Sequence, residues 1–313
     1  MNYPYSPELK TPQRMPDIHP GKPAMAGMLK ILCRTHQKQA EAFQPPYGLH
    51  LKKISVPSTD GTEIPCYVIE TEEADGDLPG LLMIHGGAFY LPVQTSALAL
   101  ACEYARRLNA RVFLPDYRLV PQFAAPSQTE DCLAVWTELS EHAGEHSVDP
   151  EKLLILGDSA GAALAAGLCI RLRDEGKTLP KGQLLIYPVT DDRTERYDSY
   201  GRYASACWSP AATRSMWSAY LKGADERFLP WLVPARCGDL RGLPAAYVEP
   251  QEIDVLCDEG ISYAERLKAA GVPTELNVVK GSYHGFDSDL SSSLVKRVLD
   301  QRIKAALSFL ETV

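Results

Sequence analysis

The segment that most limits what this chain can fold into is residues 152–173. There the apolar run Lys152-Leu-Leu-Ile-Leu156 stops at Gly157-Asp158-Ser159-Ala160-Gly161 and gives way to an Ala- and Leu-rich stretch. The pattern predicts a strand, a sharp turn and a helix. A serine on such a turn is held in a strained backbone conformation, and the flanking glycines leave room for the tight crossing, so its hydroxyl projects above the sheet edge. Ser159 is therefore the candidate nucleophile. The next amide, on Ala160, opens the helix, where unpaired N–H groups and the positive end of the dipole favour a developing anion. A Gly-x-Ser-x-Gly pentapeptide arises by chance in roughly one chain of this length in ten, so its weight comes from the strand before it, the helix after it and the partners elsewhere.

The rest of the chain supplies that context. Residues 1–48 are rich in proline, carry one helix over 23–43 and stop at Pro45-Pro46; Met25, Met28, Leu29, Leu32 and Phe43 suggest a helix lying on something, as part of a lid. Residues 51–56 and 64–69, joined by the turn signal Ser58-Thr59-Asp60-Gly61, read as an antiparallel hairpin. Strand and helix then alternate: strands at 81–85, 111–114, 153–156 and 183–187, helices at 95–108, 128–142 and 162–173. That alternation predicts an α/β fold with a mostly parallel sheet of about eight strands, covered by helices on both faces, with sites at the carboxyl ends of the strands. It breaks over 190–242, a segment holding Trp208, Trp217 and Trp231, three of the four tryptophans. It resumes with a strand at 246–248, a helix at 258–270, a strand at 275–279 and a closing amphipathic helix at 290–310. The aromatic-rich insertion is the natural place for a lid over Ser159; the alternative is a structural helical hairpin with its aromatics in an ordinary core.

Composition excludes several classes. A net charge of −8 without clustered Lys and Arg argues against a nucleic-acid surface. Apolar runs such as 81–84 and 184–186 are far too short to span a bilayer, so no membrane insertion is expected. The start, Met-Asn-Tyr-Pro-Tyr-Ser-Pro, lacks the basic residues and apolar stretch of a secretion signal, which points to the cytoplasm. The eight cysteines form no Cys-x-x-Cys, and Cys66, Cys102, Cys132 and Cys169 sit inside apolar patterns as reduced packing residues.

A serine hydroxyl needs a general base, normally a histidine that a buried carboxylate orients. Of the seven histidines, His284 follows the last expected strand in the glycine-flanked loop Gly281-Ser-Tyr-His-Gly-Phe286, and His85 ends an earlier strand. His19, His36, His50, His142 and His146 fall in the leader, turns or helix ends, where a solvated surface histidine is the simpler account. For the acid, Asp254 lies on the loop after strand 246–248. Asp258 and Glu259 are rivals that suit the first turn of the following helix better, where the dipole favours carboxylates. His85-Gly86-Gly87-Ala88-Phe89 lets successive amides point at one spot, adding oxyanion donors from Gly86, Gly87 and Ala88 to that of Ala160.

These residues add up to a family. Over nearly its whole length the chain resembles the hormone-sensitive-lipase-like branch of the α/β-hydrolases, the bacterial acetyl-esterase and carboxylesterase type. Four segments carry the likeness: His85-Gly-Gly-Ala-Phe89, resembling the family's His-Gly-Gly-Gly; Asp116-Tyr-Arg-Leu-Val-Pro121, similar to its Asp-Tyr-Arg-Leu-Ala-Pro; Gly157-Asp-Ser-Ala-Gly161; and Asp254 through Gly260 with His284-Gly-Phe286. The resemblance implies nucleophile Ser159, acid Asp254 and base His284, in the chain order of that fold. It also implies oxyanion amides from Gly86, Gly87, Ala88 and Ala160, no cofactor and no metal. It places a helical cap on 1–48 and 190–242, and the catalytic domain on 49–189 and 243–313. Two departures matter. Ala88 stands where the family usually has a third glycine, and its methyl group narrows the acyl side. Gln122-Phe123 replaces the family's Glu-His after Pro121, removing a charge pair near the rim.

The expected reaction is two-step hydrolysis of small, soluble short-acyl esters, acetyl to butyryl, since the basic residues Arg193, Arg196, Arg202, Arg214 and Lys222 among the lid aromatics do not suit a lipid surface. The expected partner is a small-molecule ester; a homo-oligomer is compatible with the sequence. Two other readings compete. His142-Ala-Gly-Glu-His146 matches the His-x-x-Glu-His of one zinc peptidase class, but that reading needs both histidines on one continuous helix, and Gly144 interrupts it. A non-catalytic small-molecule receptor on the same scaffold is expected to lose a triad member, and this chain keeps a candidate for each role.

Overall fold

The computed structural model describes residues 3–18 and 23–311; the expectation of a solvated His19 falls outside them. Eight strands form one sheet: β1 (Leu49–Pro57), β2 (Glu63–Thr71), β3 (Leu78–Ile84), β4 (Arg111–Pro115), β5 (Val148–Asp158), β6 (Gly182–Ile186), β7 (Ala245–Glu249) and, past the short β8 (Gln251–Ile253), β9 (Thr274–Leu276). Their spatial order is β1-β2-β4-β3-β5-β6-β7-β9. Strand β2 runs antiparallel to both neighbours, and every other pairing is parallel. The expected hairpin thus sits at one edge of an otherwise parallel sheet.

Nine α-helices complete the described residues: α1 (Pro23–Glu41), α2 (Thr95–Leu108), α3 (Ser127–Glu141), α4 (Ala160–Asp174), α5 (Ser199–Arg202), α6 (Pro210–Tyr220), α7 (Leu229–Leu232), α8 (Cys257–Ala269) and α9 (Ser293–Glu311). The central strands are apolar on both faces, because a parallel sheet is covered on both sides and successive side chains point opposite ways. On β3, Leu81 and Met83 join the core that packs α2 and α9, whereas Leu82 and Ile84 join the core that packs α3, α4 and α8. None of the described helices is long and apolar enough to cross a membrane. All eight cysteines are unpaired, seven of them buried.

One expected element is corrected. Residues 275–279 are not a single strand: β9 ends at Leu276, and a new strand, β10 (Val279–Tyr283), pairs in parallel with β8 in a separate two-stranded ribbon. Asn277 marks the break. Its amide still bonds the Val248 carbonyl at 2.9 Å, and its side chain donates to Tyr247 Oη and to Gln301 Oε1, both at 2.8 Å, as the chain leaves the main sheet. The ribbon pairs Tyr283 with Ile253, so the next residue of each strand, His284 and Asp254, emerges side by side.

Residues 3–18 form an irregular strap rather than a free tail. The Ser6 amide donates to the Gly281 carbonyl at 2.8 Å and the Met15 amide to the Cys207 carbonyl at 2.9 Å. Tyr283 Oη donates to Lys10 O at 2.9 Å, and Ser215 Oγ to Ile18 O at 2.7 Å. The strap therefore bridges the β8–β10 ribbon and the 190–242 segment.

Candidate active site

Ser159 occupies the corner between β5 and α4 with φ 53° and ψ −120°, a left-handed conformation costly for any side-chain-bearing residue. The corner is over-determined. The Ser159 amide donates to the Ile186 carbonyl at 2.9 Å, and its carbonyl accepts from the Val189 amide at 3.2 Å. A Cβ on Gly157 would stand 2.2 Å from the Gly161 carbonyl oxygen, and one on Gly161 would stand 2.0 Å from that of Ile84. Only glycine lets the helix leave the strand so closely.

Ser159 Oγ lies 2.8 Å from His284 Nε2, and His284 Nδ1 lies 2.7 Å from Asp254 Oδ2. The second oxygen of Asp254 accepts the Leu256 amide at 3.1 Å. A carboxylate only accepts, so Nδ1 carries the imidazole proton, which leaves Nε2 free to accept from the serine hydroxyl. All three residues are buried, with relative exposures of 8% for Ser159, 6% for His284 and 1% for Asp254, which keeps water from competing for these bonds. Trp208 stacks obliquely on the imidazole at 5.8 Å, and Tyr187 meets it edge-on at 4.9 Å. The structure thus brings together Ser159, Asp254 and His284, which lie far apart in the chain.

The rivals are accounted for differently. Glu259 is fully buried and accepts the Thr190 amide at 2.7 Å, the Asp191 amide at 3.3 Å and Tyr200 Oη at 2.7 Å. Burial pushes its pKa up to about 8. Asp258 accepts the Ser199 amide at 2.8 Å. Both serve the start of the 190–242 insertion, beyond any interaction with the helix dipole. His85 is buried, stacks on Tyr117 at 4.3 Å and has its Nδ1 2.7 Å from Gly86 O; burial lowers its pKa. His142 and His146 do not share a helix face, because α3 ends at Glu141 and residues 143–146 continue as a 3₁₀ turn. His142 contacts Glu145 at 3.3 Å and His146 contacts Glu138 at 2.8 Å. The geometry of the zinc motif is therefore broken.

The loop after β3 carries three consecutive residues at positive φ: Gly87 at 112°, Ala88 at 57° and Phe89 at 61°. Among the described residues, the amides of Gly87, Ala88 and Ala160 have no hydrogen-bond partner. The Gly86 amide, by contrast, donates to Asp158 Oδ1 at 3.1 Å. Beside these amides lies a cavity of about 370 Å³ whose walls include Met15, Ile18, Leu32, Leu91, Leu100 and Trp208. Sequence reasoning missed the strap residues Met15 and Ile18, which belong to no periodic element. It also passed over Asp158, although the residue's place inside the pentapeptide was a visible signal. Asp158 faces the cavity, and burial raises its pKa to about 7, helped by the nearby Asp287 carboxylate.

Comparison with known proteins agrees with this geometry. Residues 81–288 match the model of a family described as having the alpha/beta hydrolase fold. The chain is 31% identical over 240 residues to an ethyl acetate hydrolase of Pseudomonas putida, covering 75% of each protein. It is 32% identical over 265 residues to the carboxylic ester hydrolase LipN of Mycobacterium tuberculosis, covering 82% of this chain and 70% of that one. Among solved structures it is similar to a bacterial heroin esterase, with a TM-score of 0.85, 31% identity and 95% of each chain covered.

Proposed function

As the chain belongs to the α/β-hydrolase family and is a carboxylic ester hydrolase, we propose that Ser159 is its nucleophile, His284 its general base and Asp254 the carboxylate that holds that base, and that its substrates are small esters of acetyl to butyryl acyl groups. The observation that carries the assignment is the 2.8 Å contact between Ser159 Oγ and His284 Nε2. Because the chain is an enzyme, the non-catalytic receptor is set aside.

Each step follows from the positions of these atoms. Ser159 Oγ bonds to the ester carbonyl carbon while its proton passes to His284 Nε2, and the carbonyl electron pair moves onto oxygen as an oxyanion. The amides of Gly87, Ala88 and Ala160 donate to that oxygen. When the intermediate collapses, the bond to the alcohol oxygen breaks and the alcohol leaves with the His284 proton. Water then repeats the sequence on the acyl-enzyme and releases the acid. The Asp254 carboxylate keeps the proton on Nδ1 and stabilises the imidazolium that forms. Apart from the hydrolytic water, every group these steps call on is a side chain or amide of this chain.

The short acyl preference is supported by the Ala88 methyl beside the oxyanion loop and by the bounded cavity of about 370 Å³, and it is in keeping with the ethyl acetate hydrolase named among the relatives. Residues 1–48 and 190–242 act as a cap on the catalytic domain of 49–189 and 243–313, in line with the strap and Trp208 both walling the cavity. Eight unpaired cysteines fit a reducing compartment such as the cytoplasm.

A panel of p-nitrophenyl esters tests the acyl preference: kcat/KM should peak between acetate and butyrate, and a peak at octanoate or longer would overturn it. Asp254→Asn tests the acid, because a carboxamide misorients the imidazole tautomer; kcat should fall by about 10³–10⁴-fold, and a variant within tenfold of wild type would remove Asp254 from the set.

A further inference from the structure

We propose that Asp158, which has no part in the proton relay, is a positioning residue for the oxyanion loop: its carboxylate holds Gly86, and through Gly86 the amides of Gly87 and Ala88, in register with Ser159. The proposal rests on reading those amides, with that of Ala160, as the oxyanion donors.

Two observations on this carboxylate carry it. The Gly86 amide donates to Asp158 Oδ1 at 3.1 Å, and Asp158 Oδ2 would stand 2.4 Å from a Cβ placed on Gly86. The carboxylate thus bonds Gly86 from one side and fills its side-chain position from the other, which gives a reason for glycine at 86 apart from backbone freedom. Because Asp158 immediately precedes Ser159 at the end of β5, one rigid strand terminus sets both the attacking hydroxyl and the loop that receives the negative charge.

The loop needs such an anchor. Residues 87–89 lie in succession at positive φ, two of them with side chains, and strain of this kind persists only where the surroundings over-determine it. The far end is held by the Val120 amide on the Phe89 carbonyl at 2.9 Å and by Phe89 stacked on Tyr220 at 3.9 Å. The near end is held by Tyr117 Oη on the His85 carbonyl at 2.8 Å and by Asp158 on Gly86. Oxyanion donors act only when they meet the oxygen at hydrogen-bond distance, so slack at Gly86 is transmitted to the next two amides.

A purely structural role does not suit this side chain. Among the described residues no cation bonds Asp158, and the groups around it are Asp287, His284 and Arg302, with Tyr117 and Tyr187 close by. Burial raises its pKa to about 7, so the ionised carboxylate is disfavoured where it stands. A carboxylate retained under that handicap beside a nucleophile fits a functional constraint.

The test compares Asp158→Ala, Asp158→Asn and Ser159→Ala in the full chain, reading kcat, KM and Tm. Asp158→Ala should lower kcat by about 10–100-fold, less than the loss of a donor itself, with KM within about threefold and Tm unchanged or higher. Asp158→Asn keeps an oxygen that can accept the Gly86 amide, and kcat should return to within about fivefold of wild type. Should Asp158→Ala fail to fold, Gly86→Ala breaks the same contact from the loop side, with the same expected fall in kcat. Wild-type kcat in either disrupting variant, or an Asn variant no better than Ala, overturns the proposal. An active Ser159→Ala would instead refute the catalytic reading beneath it, so the two failures are distinguishable.

Discussion

Two buried polar assemblies sit near the carboxyl end of the sheet, and they differ in one respect. Around Arg302 the hydrogen bonds close on themselves. Its guanidinium donates to Glu249 through Nε at 2.9 Å and Nη2 at 2.6 Å, and to Asp287 through Nη1 at 2.7 Å. Tyr247, Gln251 and Tyr187 donate to the same two carboxylates. Burial alone would lower the Arg302 pKa, but the two carboxylates outweigh it and hold the cation charged. The chain from Asp254 through His284 ends instead on a hydroxyl that lines the cavity, where its proton has somewhere to go. The saturated assembly ties α9 to the end of β7 and to the segment after His284; the open one is free to do chemistry. Burial and pairing of charge do not by themselves mark an active site; a bonded relay whose last hydroxyl opens onto a cavity is the better candidate.

The largest expected effect breaks the open assembly. Ser159→Ala or His284→Ala should lower kcat by about 10⁴-fold or more with Tm within about 2 °C of wild type. A large fall in Tm with kcat preserved would reverse the comparison. Arg302→Met breaks the closed assembly and leaves two buried carboxylates without their cation. It should destabilise the protein by about 3–5 kcal/mol, read as a denaturant midpoint shift, while kcat of the folded enzyme at low temperature stays within about tenfold. An unaltered midpoint with kcat abolished would make Arg302 part of the chemistry.

Glu259 gives the smallest effect and sharpens the rule, since it is a buried carboxylate bonded, among the described residues, to amides and a hydroxyl but to no cation. With its pKa raised by burial to about 8, the folded protein keeps a proton that the unfolded chain releases near pH 4.5. Stability contributed here therefore declines as pH rises from about 4.5 to 8. The Tm of Glu259→Gln relative to wild type should increase by a few degrees between pH 5 and pH 9, measured by thermal melts across that range. Parallel melting curves would mean that Glu259 is ionised in the folded state at ordinary pH.

What could be read without coordinates was of one kind. The corner at Ser159, the glycines around it, helix α2 and the alternation giving a mostly parallel sheet all depend on contiguous residues, through apolar period, turn chemistry and chain order. The errors were of another kind. Residues 275–279 read as one strand because their composition is continuous; the break shows only in the pairing, where β9 ends at Leu276 and Val279 joins β8 instead. Nothing local in the sequence shows that Asp158 accepts the Gly86 amide. The strap of residues 3–18 has no periodicity at all, and its contacts with Cys207, Ser215, Gly281 and Tyr283 cross nearly the whole chain.

By itself, then, the sequence determined the strand-turn-helix corner and the fold class, since both follow from apolar period and turn chemistry along contiguous stretches. Tertiary structure alone decided that Ser159 and His284, 125 residues apart, meet at 2.8 Å, that a two-stranded ribbon outside the main sheet delivers Asp254 to the imidazole, and which loop amides remain free. The physical reason is reach. Backbone preferences act over a few residues, whereas a hydrogen bond between distant side chains exists only once packing has set the separation of the elements that carry them.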